Sequence, residues 1–186
     1  MNDIDISDAK DKLKKSREWA LEKGIIDKKL LEKQRENDRK IAEIRGHILN
    51  RVVELEDQLN TFISVYFTGN TERTRDFYDL ILSEEFFTFH QKIKLFDRIA
   101  YHKQESFAGK YDGLAAYLHK VKEIRNLVAH GHRIDPLQPR IRMLSKKKPT
   151  TIDQNFLEEF KKSFETSLFS LVELNRELIA EKKRKN

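Results

Sequence analysis

Residues 110–131 read KYDGLAAYLHKVKEIRNLVAHG and combine an apolar helical stripe with a cationic end. Apolar side chains recur at steps of three and four residues, as in a helix that faces a core; they are Leu114, Leu118, Val121, Ile124 and Val128. Gly131 follows as the expected C-terminal stop. Arg125 falls on the same stripe, four residues after Val121. A cation there needs a partner or a function, because burying an unpaired charge is costly.

The remainder of the chain predicts an all-α protein. All three prolines lie between positions 136 and 149, so residues 1–135 lack the commonest helix breaker. The expected helices are a charged one over 7–22 that stops near Gly24, a long one over 38–67, a short one that Thr71 caps, one that Ser83 caps and that contains Phe86, the motif helix over about 110–130, and a last one that Asp153 caps. The near-heptad stripe of the long helix is either a seam between subunits or, as we favour, part of the bundle core.

An irregular, proline-containing insertion precedes the last helix. Residues 141–144 and 150–152 are tolerant of β-structure and can pair as a small hairpin. No glycine-rich phosphate loop, dinucleotide fingerprint or internal repeat occurs in the sequence. The predicted fold is an antiparallel helical bundle over residues 38–186, with residues 1–37 as a charged helical N-terminal extension.

The composition excludes several classes of protein. The length of 186 residues fits one domain of ordinary size. The chain has no cysteine, which excludes disulfides, thiolate metal sites and thiol catalysis. No apolar stretch approaches the ~18 residues of a membrane span, and the start of the chain is too polar for a signal peptide. We therefore expect no membrane association and a cytoplasmic location.

Positive charge is concentrated next to the motif. Residues 131–150 contain six cations, namely Arg133, Arg140, Arg142, Lys146, Lys147 and Lys148, against the single carboxylate of Asp135. The segment therefore has a net charge of +5, and the formal net charge of the whole chain is +6. Such clustering attracts polyanions, although a solvated loop explains the lysines equally well. The candidate substrate-binding residues are His132, Arg133, Arg140 and Arg142.

Arg125, Asn126 and His130 form the candidate catalytic group. In a regular helix Arg125 and His130 lie about 140° apart around the axis, so they flank a shared edge. Asn126 and His130 are four positions apart and therefore adjacent, so Asn126 can orient the imidazole. The long side chain of Arg125 can reach the same phosphate. An anion held there meets a guanidinium and a proton donor or acceptor.

The heptapeptide RNLVAHG at 125–131 resembles the motif of the HEPN superfamily, in which histidine follows arginine after four to six residues, often with a polar residue directly after the arginine. The helical order extends the resemblance over roughly residues 38–180. The resemblance implies a homodimeric α-bundle in which two motif helices share one composite cleft. Many members are metal-independent endoribonucleases of toxin–antitoxin or antiviral defence systems.

The resemblance also implies roles for individual residues. Arg125 would stabilise the charge on the scissile phosphate of an RNA, His130 would transfer protons, and Asn126 would hold both in register. It implies no metal and no cofactor. A cognate antitoxin or a defence-system protein is the implied partner.

Other interpretations stay open on the residues alone. Arg125 can instead pair with Glu123 or with a carboxylate of another helix, and His130 can cap the helix end. The protein can also be a catalytically silent interaction or sensor module that binds a partner protein or a nucleotide, with residues 1–37 as the docking element. Plain DNA binding is less favoured, because no helix-turn-helix pattern is visible. A metal site at His130 and His132 is weak, since two imidazoles lack further ligands.

Overall fold

The computed structural model describes residues 6–24, 27–69, 71–102, 113–135, 138, 140–142 and 149–185. Its helices are α1 (Ile6–Glu22), α2 (Lys28–Thr68), α3 (Arg73–Phe77), a π-helical turn (Tyr78–Leu82), α4 (Phe89–His102), α5 (Leu114–His130) and α6 (Gln154–Lys185). Three short strands, β1 (His132–Arg133), β2 (Arg140–Arg142) and β3 (Thr150–Thr151), lie between α5 and α6. The predicted all-α helical bundle is confirmed. None of the described helices combines the length and apolarity needed to span a bilayer.

The long helix α2 forms the centre of the core. Asp27 caps its start by accepting a hydrogen bond from the backbone N–H of Lys29 at 2.7 Å, and Gly69 ends it in the left-handed conformation. Its buried apolar residues follow the predicted stripe and include Ile41, Ile48, Val52, Leu55, Leu59 and Phe62. The helix begins at Lys28 and not at residue 38, because the charged segment before the stripe contains no helix breaker. The proposed division of the chain at residue 37 therefore falls inside a continuous helix and stays a prediction.

The other long helices pack against α2 in different directions. On α6, Asn175 Nδ2 donates to the carbonyl of Gln58 at 3.0 Å and Lys182 Nζ donates to that of Tyr66 at 3.4 Å, so α2 and α6 run in the same direction. The predicted antiparallel arrangement does not extend to this pair. A long connection through α3, α4, α5 and the strands brings the chain back along α2, so that the first turns of α6 lie beside His47 and Arg51.

Helix α4 joins this core through a buried ion pair and an aromatic contact. Lys92, which is buried, pairs with Glu56 of α2. The Phe96 ring lies edge to face against Phe62, with 5.3 Å between the centroids. Burying a lysine is acceptable here because its carboxylate partner compensates the charge.

The start of α4 differs from the sequence-based expectation. Ser83 does not cap a helix that contains Phe86; its backbone N–H closes the π-helical turn by donating to the carbonyl of Tyr78 at 3.0 Å. The helix begins after Thr88, whose N–H donates to Gln91 Oε1 at 2.7 Å while its Oγ1 accepts from the Gln91 N–H at 3.4 Å. This reciprocal capping satisfies two backbone donors and outcompetes the single cap at Ser83. Phe86 is consequently left 63% exposed.

The predicted hairpin forms, and a third strand joins it. Arg140 pairs with Thr151 and Ile141 with Thr150 in an antiparallel ladder. Strand β1, which the sequence did not predict, pairs with β2 on the other side. Ile141 is fully buried and anchors the sheet in the core beside α5. The remaining predicted hairpin residues, 143 and 144, and the lysines at 146–148 lie outside the described residues.

Gly131 ends α5 through close packing. Its φ of −71° and ψ of 134° are open to any residue, and its N–H donates to the carbonyl of Leu127 at 2.8 Å. A Cβ at this position would lie 2.3 Å from that carbonyl oxygen and 3.4 Å from Cδ1 of Ile141. Glycine is therefore required here because the backbone of residue 131 lies so close to the carbonyl of Leu127, and not because of its φ and ψ angles.

A pair of glycine substitutions tests this packing. We expect Gly131→Ala to lower the free energy of unfolding by about 1–3 kcal/mol, because backbone atoms must shift. Gly46→Ala is the matched control, because an added Cβ inside α2 meets no atom within 4 Å. Alanine is preferred in helix interiors, so this change should raise the free energy by about 0.5–1 kcal/mol. Urea unfolding followed by circular dichroism measures both, and effects of the same sign would contradict the packing explanation.

Candidate functional site

Arg125 and Asn126 lie in the last half of α5, and both side chains are half-buried. Arg125 Nη1 donates to Asn126 Oδ1 at 3.0 Å. The sequence predicted that Asn126 orients His130, but the structure shows its carbonyl oxygen orienting the guanidinium of Arg125. No ion pair between described residues involves Arg125, so the alternative of a pair with Glu123 gains no support.

His130 is the last residue of α5, and its side chain is exposed. A histidine side chain at the C-terminal end of a helix can donate to the last carbonyls, as the capping alternative requires. Its exposure also leaves the imidazole accessible to a ligand. The described part of the chain contains no group of three or more His, Asp or Glu arranged to hold a metal ion, so the metal alternative at His130 and His132 gains no ligand set.

A second arginine, which the sequence reading missed, reaches the end of α5 from α2. Arg45 Nη2 donates to the carbonyl oxygen of Gly131 at 2.5 Å. Its Nε is buried and has no hydrogen-bond partner among the described residues. Arg45 lies between Ile41 and Ile48 on the buried stripe of α2, so the criterion that singled out Arg125 would also have found it.

The side chain of Arg133 has a structural role, because it joins β1 to α2. Its Nη1 forms an ion pair with Asp38 of α2, and its Nε donates to the carbonyl of Asp135 at 2.9 Å. The guanidinium is mostly buried, at 19% side-chain exposure. Its charge is thus largely compensated, and the residue fastens β1 to α2. Its predicted contact with substrate stays a prediction.

The other predicted substrate-binding residues lie on the small sheet. His132 and Arg142 are exposed and face each other across the β1–β2 ladder, and Arg140 is half-buried. Because β1 follows α5 directly, this cationic strand pair lies next to the end of the motif helix. His132 follows His130 by two residues at this end of α5. The lysines of the insertion lie outside the described residues.

A polar cluster between α4 and α5 was not predicted. Lys122 Nζ lies 3.5 Å from His90 Nδ1 and 3.4 Å from His119 Nδ1. His119 Nε2 lies 3.0 Å from Asp97 Oδ2. The sequence places these histidines at scattered helical positions; the antiparallel packing of α4 and α5 brings them together.

The charges of this cluster affect the pKa of His90. Desolvation lowers the pKa of His90 below its ordinary value, and the positive charges of Lys122 and Lys94 lower it further. The imidazole of His90 is therefore neutral over a wider pH range than a free histidine. A neutral imidazole can accept a hydrogen bond from the Lys122 ammonium.

A family model described as Abi-like protein matches residues 9–134. The match covers more than half of the chain and includes Arg125, Asn126 and His130, but it ends before β2 and α6. The resemblance to the HEPN superfamily is wrong, because the matching family is a different one. Comparisons with curated proteins and with solved structures gave no significant match.

The contact between Arg45 and Gly131 predicts a specific loss of stability. Arg45→Met should lower the free energy of unfolding by about 1–2 kcal/mol, because the buried Gly131 carbonyl loses a charged donor. Arg39→Met is the control; Arg39 is 74% exposed and pairs with Glu43 only at 3.5 Å, so its change should stay within about 0.5 kcal/mol. Urea unfolding measures both variants. Equal losses would show that net charge, and not the bond to Gly131, sets the effect.

Proposed function

This chain belongs to the Abi-like protein family, and we propose that it is a metal-independent endoribonuclease whose active site is built on Arg125, Asn126 and His130. The observation that supports this most is the hydrogen bond that fixes Arg125 on Asn126, on a helix that ends in an exposed imidazole. The family description fits a role in abortive infection. The proposed setting is therefore a toxin–antitoxin or antiviral defence system.

Arg125 binds the scissile phosphate in this proposal. Asn126 engages one terminal nitrogen, which leaves further N–H groups of the guanidinium for an anion. Because the side chain is half-buried and held in place, it loses less freedom when the substrate binds. A fixed guanidinium stabilises the negative charge that develops on the phosphate oxygens during the reaction.

His130 transfers protons in this proposal. The 2′-oxygen of a ribose attacks the adjacent phosphorus and the bond from phosphorus to the 5′-oxygen breaks. The 2′-hydroxyl gives its proton to a base, and the departing 5′-oxygen receives a proton from an acid. The products are a 2′,3′-cyclic phosphate and a 5′-hydroxyl end. Imidazole suits both roles because it changes its charge near neutral pH.

A homodimer completes this chemistry. One imidazole cannot serve as base and as acid in the same transition state, so a second proton-transfer group is needed. We place α5 of a second copy opposite the first, so that two copies of Arg125 and His130 share one cleft. The exposed position of His130 at the end of α5 leaves it accessible to such a partner.

The small sheet guides the RNA backbone. His132 and Arg142 are exposed side by side on β1 and β2, and Arg140 follows on the same strand. Exposed cations next to the cleft hold phosphates without reading bases, which makes binding sensitive to salt. Arg133 contributes by holding β1 against Asp38 of α2.

A second candidate function, a catalytically silent module that binds a partner protein, is favoured by the N-terminal helices. Trp19 on α1 is 55% exposed and Leu30 at the start of α2 is 48% exposed. Large exposed apolar side chains on an extended arm suit docking of a partner such as an antitoxin. Purified protein that binds such a partner tightly but has no RNA cleavage in EDTA would favour this function over the nuclease.

Substitution of the imidazole tests the catalytic assignment. We expect His130→Ala to lower kcat for RNA cleavage by about 10²- to 10⁴-fold, because it removes a general acid or base. EDTA should leave the wild-type rate unchanged. Single-turnover cleavage of a labelled RNA measures both. His102→Ala, an exposed histidine at the end of α4, is the control and should retain wild-type activity. Undiminished cleavage by purified His130→Ala protein would contradict the assignment.

Mixing wild-type and His130→Ala proteins tests the shared cleft. When equal amounts are refolded together, the heterodimers keep only one imidazole in the common cleft and therefore lack either the base or the acid. The mixture should cleave RNA at well below half of the rate of the same total amount of wild-type protein. Wild-type protein refolded with His102→Ala protein is the control and should keep the full rate. A rate of one half, although mass spectrometry detects heterodimers, would show that the residues do not act across a subunit interface.

A further inference from the structure

We propose that His90, His119 and Lys122 form a second phosphate-binding site, which holds a phosphate of the RNA backbone a few nucleotides from Arg125 and His130. The choice of RNA as the bound strand rests on the proposed function. The affinity for a phosphate group rests only on the geometry of the cluster.

The ammonium of Lys122 lies between two imidazole nitrogens. Its Nζ is 3.5 Å from His90 Nδ1 and 3.4 Å from His119 Nδ1, and both nitrogens must act as acceptors because an ammonium can only donate. The hydrogen-bond network therefore assigns the proton of His119 to Nε2, which donates to Asp97 Oδ2 at 3.0 Å. A carboxylate thus fixes the tautomer and the orientation of one ring.

Within the cluster, the charge of Lys122 is not paired directly with a carboxylate. Asp97 is the one carboxylate of the cluster among the contacts of the described residues; it engages His119, and its Oδ1 is buried without a hydrogen-bond partner there. Lys122 has no carboxylate within ion-pair distance in the part of the chain that the structure describes, and Lys94 adds further positive charge nearby. A phosphate would accept hydrogen bonds from Lys122 and from the Nε2–H that a neutral His90 carries when its Nδ1 is the acceptor.

Lys120, on the same helix, shows what a purely structural lysine looks like in this protein. Its Nζ pairs with Glu159 of α6 at 2.7 Å, so a carboxylate compensates its charge. A lysine that serves only to join α4 and α5 would be better stabilised by such a carboxylate than by two imidazoles. The chemistry around Lys122 is therefore that of an anion site and not of an interhelical ion pair.

The cluster lies on the same side of α5 as Asn126 and His130, two of the three candidate catalytic residues. His119, Lys122, Asn126 and His130 fall within about 80° of each other around the helix axis, opposite the buried apolar stripe. Along that axis Lys122 and His130 are about 12 Å apart. A single strand laid along this row can contact both groups at once, which defines the path of the substrate away from the cleavage position.

Removal of the Lys122 charge tests the proposal. The probe is a short single-stranded RNA with 2′-O-methyl riboses, which cannot be cleaved through the 2′-hydroxyl, and its binding is followed by fluorescence anisotropy. We expect Lys122→Gln to weaken binding about tenfold, because one charge-assisted hydrogen bond to phosphate is lost. Lys120→Gln removes the same formal charge and should change the affinity less than about twofold.

A second measurement reports on the site itself. Addition of inorganic phosphate to the wild-type protein should shift the imidazole NMR signals of His90 and His119, and Lys122→Gln should abolish these shifts. Circular dichroism of both variants verifies that they fold. Equal weakening by both lysine substitutions, or unchanged histidine signals in the wild-type protein, would overturn the proposal.

The outcomes separate this proposal from the proposed function. If RNA binding depends on Lys122 but the protein does not cleave RNA, the phosphate site is supported and the proposed nuclease function is contradicted. If RNA cleavage depends on His130 while neither binding nor cleavage depends on Lys122, the proposed nuclease function is supported and the proposed phosphate site is contradicted. If both hold, Lys122→Gln should raise KM about tenfold and leave kcat unchanged, because the lost contact lies away from the reacting atoms.

Discussion

The hydrogen bond from Arg45 to the carbonyl oxygen of Gly131 holds the end of the motif helix against α2. The two residues are 86 positions apart in the chain. Because Gly131 has no Cβ, its backbone can pack closely on the carbonyl of Leu127 at the end of the helix. Just beyond it, the ion pair of Arg133 with Asp38 fastens β1 to the same helix. The position of His130 follows from these contacts, since it is the last residue before the fixed turn. The buried stripe of α5 holds the other side of the helix in the core.

The polar residues of α5 lie together on one surface because the helix has two distinct sides. The apolar residues from Leu114 to Val128 are buried, so the opposite side must carry whatever the helix presents to solvent. On that side lie Asn126, which orients Arg125, and the group around Lys122. These polar contacts contribute little to the stability of the bundle compared with the core, which suits a role in binding.

Local patterns predicted the helices, whereas contacts between helices were not readable from the sequence. The stripe of α5 and the cap of α6 at Asp153 depend on residues a few positions apart, and both are confirmed. The contact of Arg45 with Gly131 and that of His90 with Lys122 depend on which helices meet, so local patterns could not predict them, although the position of Arg45 on the buried stripe marked it as a cation in need of a partner. Ser83 failed as a cap because two capping signals competed within a few residues. The seven residues at 125–131 were too few to identify the family; the family model that matches covers residues 9–134.

The chemistry proposed for Arg125 and His130 requires a 2′-hydroxyl at the scissile position, which gives the most direct test. Two RNAs of the same sequence, one with a single 2′-deoxy nucleotide 5′ to the cleaved bond, are incubated with the purified protein in EDTA, and the ends of the products are identified by mass spectrometry. We expect the all-ribose strand to be cut with a 2′,3′-cyclic phosphate end and the substituted strand to stay intact at that bond. Cleavage of both strands at equal rates, or of neither, would contradict the assignment.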